Sequence, residues 1–218
     1  MAVLLVLILL SGATGAAVQR KKAAPKKAPP PPPLQTDPAQ VKCPEVLGAG
    51  VKTNTNYCFV LAGRDPAEGV LVSIPAHVGA ATLLLDLHNR HTYSDEEVRA
   101  GRAFAKYMAV IGVLGMDGTL LGRGAVQSEF RSARDLHERI SGGAGPGGVK
   151  AVAPIGDEQV IVSIPENVQQ VSLLGEVLDA TTVAGRETAA PGRPVAIVSN
   201  VRIEYRPAPP PPAAKKKR

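Results

Sequence analysis

The run Val70-Leu71-Val72-Ser73-Ile74-Pro75-Ala76-His77-Val78 returns 90 residues later as Val160-Ile161-Val162-Ser163-Ile164-Pro165-Glu166-Asn167-Val168. The register continues past it, and eight of 18 positions in 70–87 match 160–177. Each run is β-branched or apolar and reads as a strand. Proline brings no amide hydrogen, so Pro75 and Pro165 belong just past strand ends. A spacing of this length is outside the range of solenoid repeats. The repeat therefore predicts two equivalent hairpins or arches within one domain, whether from fold symmetry or from duplication. Ile74 and Ile164 are expected at matching core positions, as are Val72 and Val162.

The remaining apolar runs are also strand-like. Tyr57–Ala62 and Gly69–Ile74 are separated by a turn at Asp65-Pro66-Ala67-Glu68-Gly69. Ala81–His88, Phe104–Leu114, Thr119–Phe130, Val149–Ala153, Gln159–Ile164, Val168–Leu178 and Pro194–Tyr205 complete the set. Asp117-Gly118 predicts a tight hairpin. Two short helices are expected, one starting at Ser94 with Glu97 closing a capping box. The other starts at Ser132, with Ala133, Leu136 and Ile140 on one face. The predicted fold is mainly β, a two-sheet sandwich of jelly-roll type with one or two short helices. Seven aromatic residues and no Trp leave its core to aliphatic side chains.

Charge divides the chain. The net charge is +6, yet Cys43–Arg206 holds 15 basic and 18 acidic residues. The excess is in residues 1–42 and 207–218, with ten basic residues, one acid and 12 of the 20 prolines. The basic balance thus marks the tails, and nucleic acid is not the expected partner of the folded part. Pro29–Pro33 favours an extended spacer. The resulting organisation is a signal peptide at 1–17, a disordered Pro/Lys-rich linker at 18–42, a β-sandwich at 43–206 and a disordered basic tail at 207–218.

Met1–Leu10 is apolar throughout and is followed by small residues up to Ala17, the pattern of a cleaved secretory leader. The run is short for a spanning helix, which needs about 20 apolar residues, so no stable span is expected after cleavage. Arg20, Lys21 and Lys22 follow the apolar run and no basic side chain precedes it, the charge bias of an uncleaved anchor. Cys43 and Cys58 form an even pair and are expected as a disulfide in an extracytoplasmic protein, whether periplasmic, cell-surface or secreted.

Several motifs suggest chemistry that their surroundings do not support. Gly115-Met116-Asp117-Gly118-Thr119-Leu120 resembles the first motif of haloacid-dehalogenase-type phosphatases. Gly115 stands where that family has its nucleophilic aspartate, so Asp117-Gly118 is read as a turn. Gly143–Gly148 fits G-x-G-x-x-G but follows a helical pattern and leads into a strand, the reverse of a dinucleotide site. His88 and His91 would point to opposite faces of a strand, which does not suit a metal. Asp95, Glu96 and Glu97 suit the first turn of a helix better than a Ca²⁺ site. His77 and His137 read as surface residues. Ser199–Glu204 loosely resembles the closing strand of some carbohydrate-binding modules, over six residues only.

No catalytic, cofactor or metal residue is assigned. The expected function is an exported, non-catalytic envelope module that binds or spaces a partner. It would present the loops at Ser141–Gly148 and His88–Glu97, with Tyr93 and Tyr107 as candidate sugar contacts. Lys215, Lys216, Lys217 and Arg218 are the candidate contacts for anionic envelope polymers. An alternative is a cytosolic nucleic-acid-associated protein, because KKAAPKKA resembles the Lys/Ala/Pro tails of linker-histone-like proteins. A hydrolase with an unrecognised site is a third reading.

Overall fold

A computed structural model describes residues 30–91, 94–141 and 149–209, with side chains except at 149 and 154–157. Thirteen strands are present among them: β1 (Gln35–Pro38), β2 (Gln40–Lys42), β3 (Glu45–Ala49), β4 (Asn56–Leu61), β5 (Val70–Ser73), β6 (Ala81–His91), β7 (Ala105–Gly115), β8 (Leu120–Phe130), β9 (Glu138–Ser141), β10 (Val149–Ile164), β11 (Gln170–Thr182), β12 (Gly185–Thr188) and β13 (Pro194–Tyr205). The one α-helix among the described residues, α1 (Asp95–Arg99), is a single turn.

The strands form two antiparallel sheets. The first runs β3-β4-β13-β6-β10-β9, with β1 also on β13. The second runs β2-β5-β11-β7-β8, with β12 on β11. Within them lie two four-stranded orders, β4-β13-β6-β10 and β5-β11-β7-β8. Exchanging β4, β5, β6 and β7 for β8, β10, β11 and β13 turns the first order into the second, read backwards. This is a jelly roll, two Greek keys related by an internal two-fold.

The sequence repeat lies on that two-fold. Each copy is an arch from one sheet to the other, β5 to β6 and β10 to β11. The arches interlock, because β6 pairs with β10 and β5 with β11. Val72, Ile74, Val162 and Ile164 are all buried in the core between the sheets. At the β7–β8 hairpin Gly118 has φ +82, and the Asp117 carboxylate accepts from the amide and hydroxyl of Thr119.

A second, smaller core lies on the outer face of the first sheet. That sheet curls until its edges meet. Gly50 bridges Ile140, the Val51 amide donates to the Arg139 carbonyl at 2.9 Å, and the Ser141 hydroxyl donates to the Ala49 carbonyl at 3.0 Å. Gly48, at φ +138, permits the approach, since a Cβ there would sit 2.3 Å from the Ser141 carbonyl oxygen. Leu47, Tyr57, Phe59, Ile140, Val152 and Ile197 fill the small barrel that results. The apolar side chains on this outer face drive the closure, because a flat sheet would leave them in water.

Three expectations change. The segment 18–42 is not linker throughout, because β1 and β2 lie within it. The helix expected from Ser132 is one 3₁₀ turn, Ala133–Asp135, capped by Ser132 and Asp135, after which the chain extends as β9. The two strands expected within 149–164 are one strand with an irregularity between Ala153 and Glu158. Residues 1–29, Thr92, Tyr93, 142–148 and 210–218 lie outside the described residues, and with them the leader, the glycine loop and Lys215–Arg218.

Candidate functional site

Cys43 and Cys58 are joined in a disulfide across 15 positions, with Cα atoms 5.6 Å apart. The bond holds a strap to the body. β1 pairs with β13, from Gln35 opposite Tyr205 to Pro38 opposite Arg202. The Ala39 amide donates to the Val201 carbonyl at 2.9 Å. The chain then crosses to the second sheet, where β2 pairs with β5, and returns at Cys43 to the first. Side chains of β1 are exposed, so backbone pairing holds it, helped by Tyr205, whose hydroxyl donates to Asp37 and accepts from Gln35.

This route leaves a break in the first sheet. β13 pairs with β4 over 194–198 and with β1 over 202–205. Between these partners β13 bulges, and Asn200 takes φ 50, a left-handed conformation that non-glycine residues rarely adopt. Its side-chain amide donates to Asp86 at 2.9 Å. The break opens as a cleft of about 520 Å³. Ala39, Val41 and Cys43 line it from the strap, and Thr55, just before β4, lines it with Asn56 and Cys58 of β4. β13 supplies the back wall, and Val46, 64% exposed, stands at the rim. Among the described residues, no charged residue lines it.

A buried polar group fills the small barrel nearby. His88 is fully buried and its Nε2 lies 2.8 Å from Ser199 Oγ. The His137 and Tyr57 rings stand against it, with centroids 5.1 and 5.5 Å away. Glu138 accepts from the Lys52 and Thr53 amides and from the Thr53 and Tyr57 hydroxyls, all at 2.7–2.8 Å. Burial works against its ionisation, but these hydrogen bonds prevail and hold the carboxyl below its usual range.

The Ser199–His88 distance is that of a nucleophile and its base. Other features are unlike a catalytic pair. His88 Nδ1 has no hydrogen-bond partner among the described residues, so no group orients the ring from behind. Burial first, then His137, pushes His88 down to about 3, against a smaller opposite pull from Glu138. A base that weak removes little proton from a serine at neutral pH. The pair reads as a buried core contact that engages one ring nitrogen of His88.

His88 and His91 do face opposite sides of β6. His91 packs between Tyr107, centroid 4.5 Å away, and Phe130, with Ser128 Oγ at 3.2 Å from Nε2. Burial and Arg90 push it down to about 4, opposed by Asp135. Asp95, Glu96 and Glu97 occupy the first turn of α1, where Glu97 pairs with Arg102 and Asp95 with Arg139. Tyr107 is buried, which removes it as a sugar platform.

Two histidines leave the surface positions expected for them. His77 is buried, its Nδ1 donating to the Pro75 carbonyl at 2.8 Å, and it bridges Pro207. His137 is half-buried against His88. The cleft was not legible in sequence. Its one local signal is the pair Ser199-Asn200 interrupting the apolar closing strand, a pattern that fits a bulge.

No family model and no curated protein matches the sequence. Among solved structures, the catalytic domain of a GH87 α-1,3-glucanase in complex with nigerose is similar at 13% identity and a TM-score of 0.27. The match covers 82% of this chain and 30% of that one, so the chain spans under a third of the glucanase domain. A structure of the T13 IBDV viral particle is similar at 12% identity and a TM-score of 0.22, over 90% of this chain and 44% of that one.

Proposed function

We propose that this chain is an exported, non-catalytic β-sandwich module of the cell envelope with a binding or spacing role. The observation that carries this is the Cys43–Cys58 disulfide. Such bonds persist in oxidising compartments and are rare where thiols are kept reduced. The buried, weakly basic His88 beside Ser199 supports a non-catalytic reading. Native protein purified from its source should begin near Ala17 and release no free thiol without reduction. An intact Met1 with two titratable thiols overturns the proposal and favours the cytosolic alternative.

The expected partners are anionic envelope polymers, met by Lys215, Lys216, Lys217 and Arg218. The folded part is mildly acidic, so the charge for such contact is on the tails. A cut between the body and this cluster should fall after Pro209, because the Ala208 amide donates to the Ala76 carbonyl and Arg206 reaches Pro32. Deleting 210–218 should weaken binding to lipopolysaccharide and flatten its salt dependence. Each lost phosphate contact on nucleic acid removes about 0.7–0.9 from the log–log slope, which sets the scale. Unchanged affinity and slope would make the tail a solubilising segment.

A further inference from the structure

The geometry points to the cleft beside the disulfide as a binding site for a small neutral polyhydroxylated molecule, a sugar of one or two rings. The cleft is independent of the basic tail, so this inference stands or falls apart from the polyanion reading.

Four observations support it. The volume, about 520 Å³, lies within the range of small-ligand sites, roughly 300–1,000 Å³. The lining carries no charge among the described residues, so an ion bound there would lose water without gaining a partner from them. The same lining combines apolar and hydrogen-bonding groups. Val41, Val198 and the disulfide offer apolar surface, while Thr55, Asn56 and Asn200 offer hydroxyl and amide groups. A sugar ring has the matching combination, C–H faces and a rim of hydroxyls. A lipid chain would instead need an enclosed apolar tube.

The third observation concerns unused polar capacity. Among the described residues, no hydrogen bond engages the exposed Asn56 side-chain amide or the half-buried Thr55 hydroxyl, and both line the cleft, open to solvent or a ligand. The fourth is backbone strain at the back wall. Asn200 holds φ 50 with no glycine to relieve it, and such outliers gather at ligand clamps. Strap, disulfide and bulge together shape the cleft in advance, so binding would need little rearrangement.

The test uses the full chain and defined probes. Saturation-transfer NMR of the wild type with maltose and cellobiose should give ligand signals, and gluconate and hexanoate should give none. Val46→Trp places the chain's single indole at the rim, since the sequence has no Trp. Its fluorescence should then titrate saturably with the same neutral sugars. In that background Asn56→Ala should weaken binding about threefold to tenfold, the worth of one or two hydrogen bonds. Asn200→Gly, which keeps the backbone turn without strain, should weaken it similarly. Transfer to neither disaccharide, transfer only to the charged or lipid-like probes, or affinities unmoved by both substitutions would overturn the assignment. A reduced melting temperature with unchanged affinity counts against it as well.

Discussion

Lowering the pH from 7 to 4 should strongly destabilise this protein through two histidines before its carboxylates matter. His88 and His91 are buried on opposite faces of β6, held at about 3 and about 4 against an ordinary value of 6.5. Below pH 6.5 the unfolded chain takes up protons that the folded chain refuses. Stability is therefore complete above about pH 6.5 and falls as pH drops, until the folded values are reached. Each histidine contributes a slope of about 1.4 kcal/mol per pH unit in that window, so the pair gives close to 3. A domain of this size has about 5–15 kcal/mol to lose, and two pH units remove about half of a mid-range value. The groups facing His88 are Tyr57, His137, Glu138 and Ser199, while Arg90 and Asp135 act on His91. Glu138 has a depressed folded value, so its contribution is present above its unfolded value near 4.5 and is lost below it, a later window.

Urea denaturation at half-unit steps from pH 7 to 4.5 measures the slope. His88→Gln and His91→Gln should each remove about half of it, whatever they cost at pH 7. A wild-type slope below about 0.5 kcal/mol per unit between pH 6 and 4.5 would refute the reasoning. So would a slope that neither substitution changes.

Ile74→Ala and Ile164→Ala should each cost about 2–5 kcal/mol in thermal or urea unfolding, because both isoleucines are buried in one core. Reducing the disulfide should remove on the order of 3 kcal/mol and raise amide exchange over 35–42, where β1 and β2 rely on backbone pairing. Glu138→Ala should cost about 3–5 kcal/mol, since one carboxylate satisfies four donors around a hairpin, and exchange should rise first at Lys52 and Thr53.

What the sequence revealed follows from where side chains meet. The arches were legible because Val72, Ile74, Val162 and Ile164 alternate with exposed or half-exposed neighbours. The Asp117-Gly118 turn and the Ser94 cap were legible because local chemistry fixes both. The strap was not, because β1 buries no side chain and its pairing leaves no pattern. β9 misled for a different reason. Leu136 and Ile140 have helical spacing, but Glu138 and Ile140 point inward and Arg139 and Ser141 outward, a period of two. Four residues are too few to tell the periods apart, and a buried glutamate disguises the apolar face. The cleft depends on a partner change along β13, a tertiary fact with no local signature.

The two-fold also shows where the halves were put to different use. The offset of 90 that relates the arches continues from β7 to β13, with Val113 and Ile203 both buried. Outward-facing positions differ. Near the end of β6, on the outer face, stands His88, fully buried; at the corresponding place in β11, after its bulge, stands Asp179, half-buried and paired with Arg186. One inner scaffold thus carries two outer faces. The second sheet keeps its face in water and covers it with ion pairs such as Arg123–Glu176. The first sheet folds its face inward through β3 and β9 and buries Glu138 and His88. Such a closure brings in polar groups that cost stability unless every one is bonded. Disulfide and bulge belong to this same modified sheet, and β1 of the strap and the back wall of the cleft lie on it. The proposed sugar cleft opens at the break in this sheet, where β13 changes partner from β4 to β1.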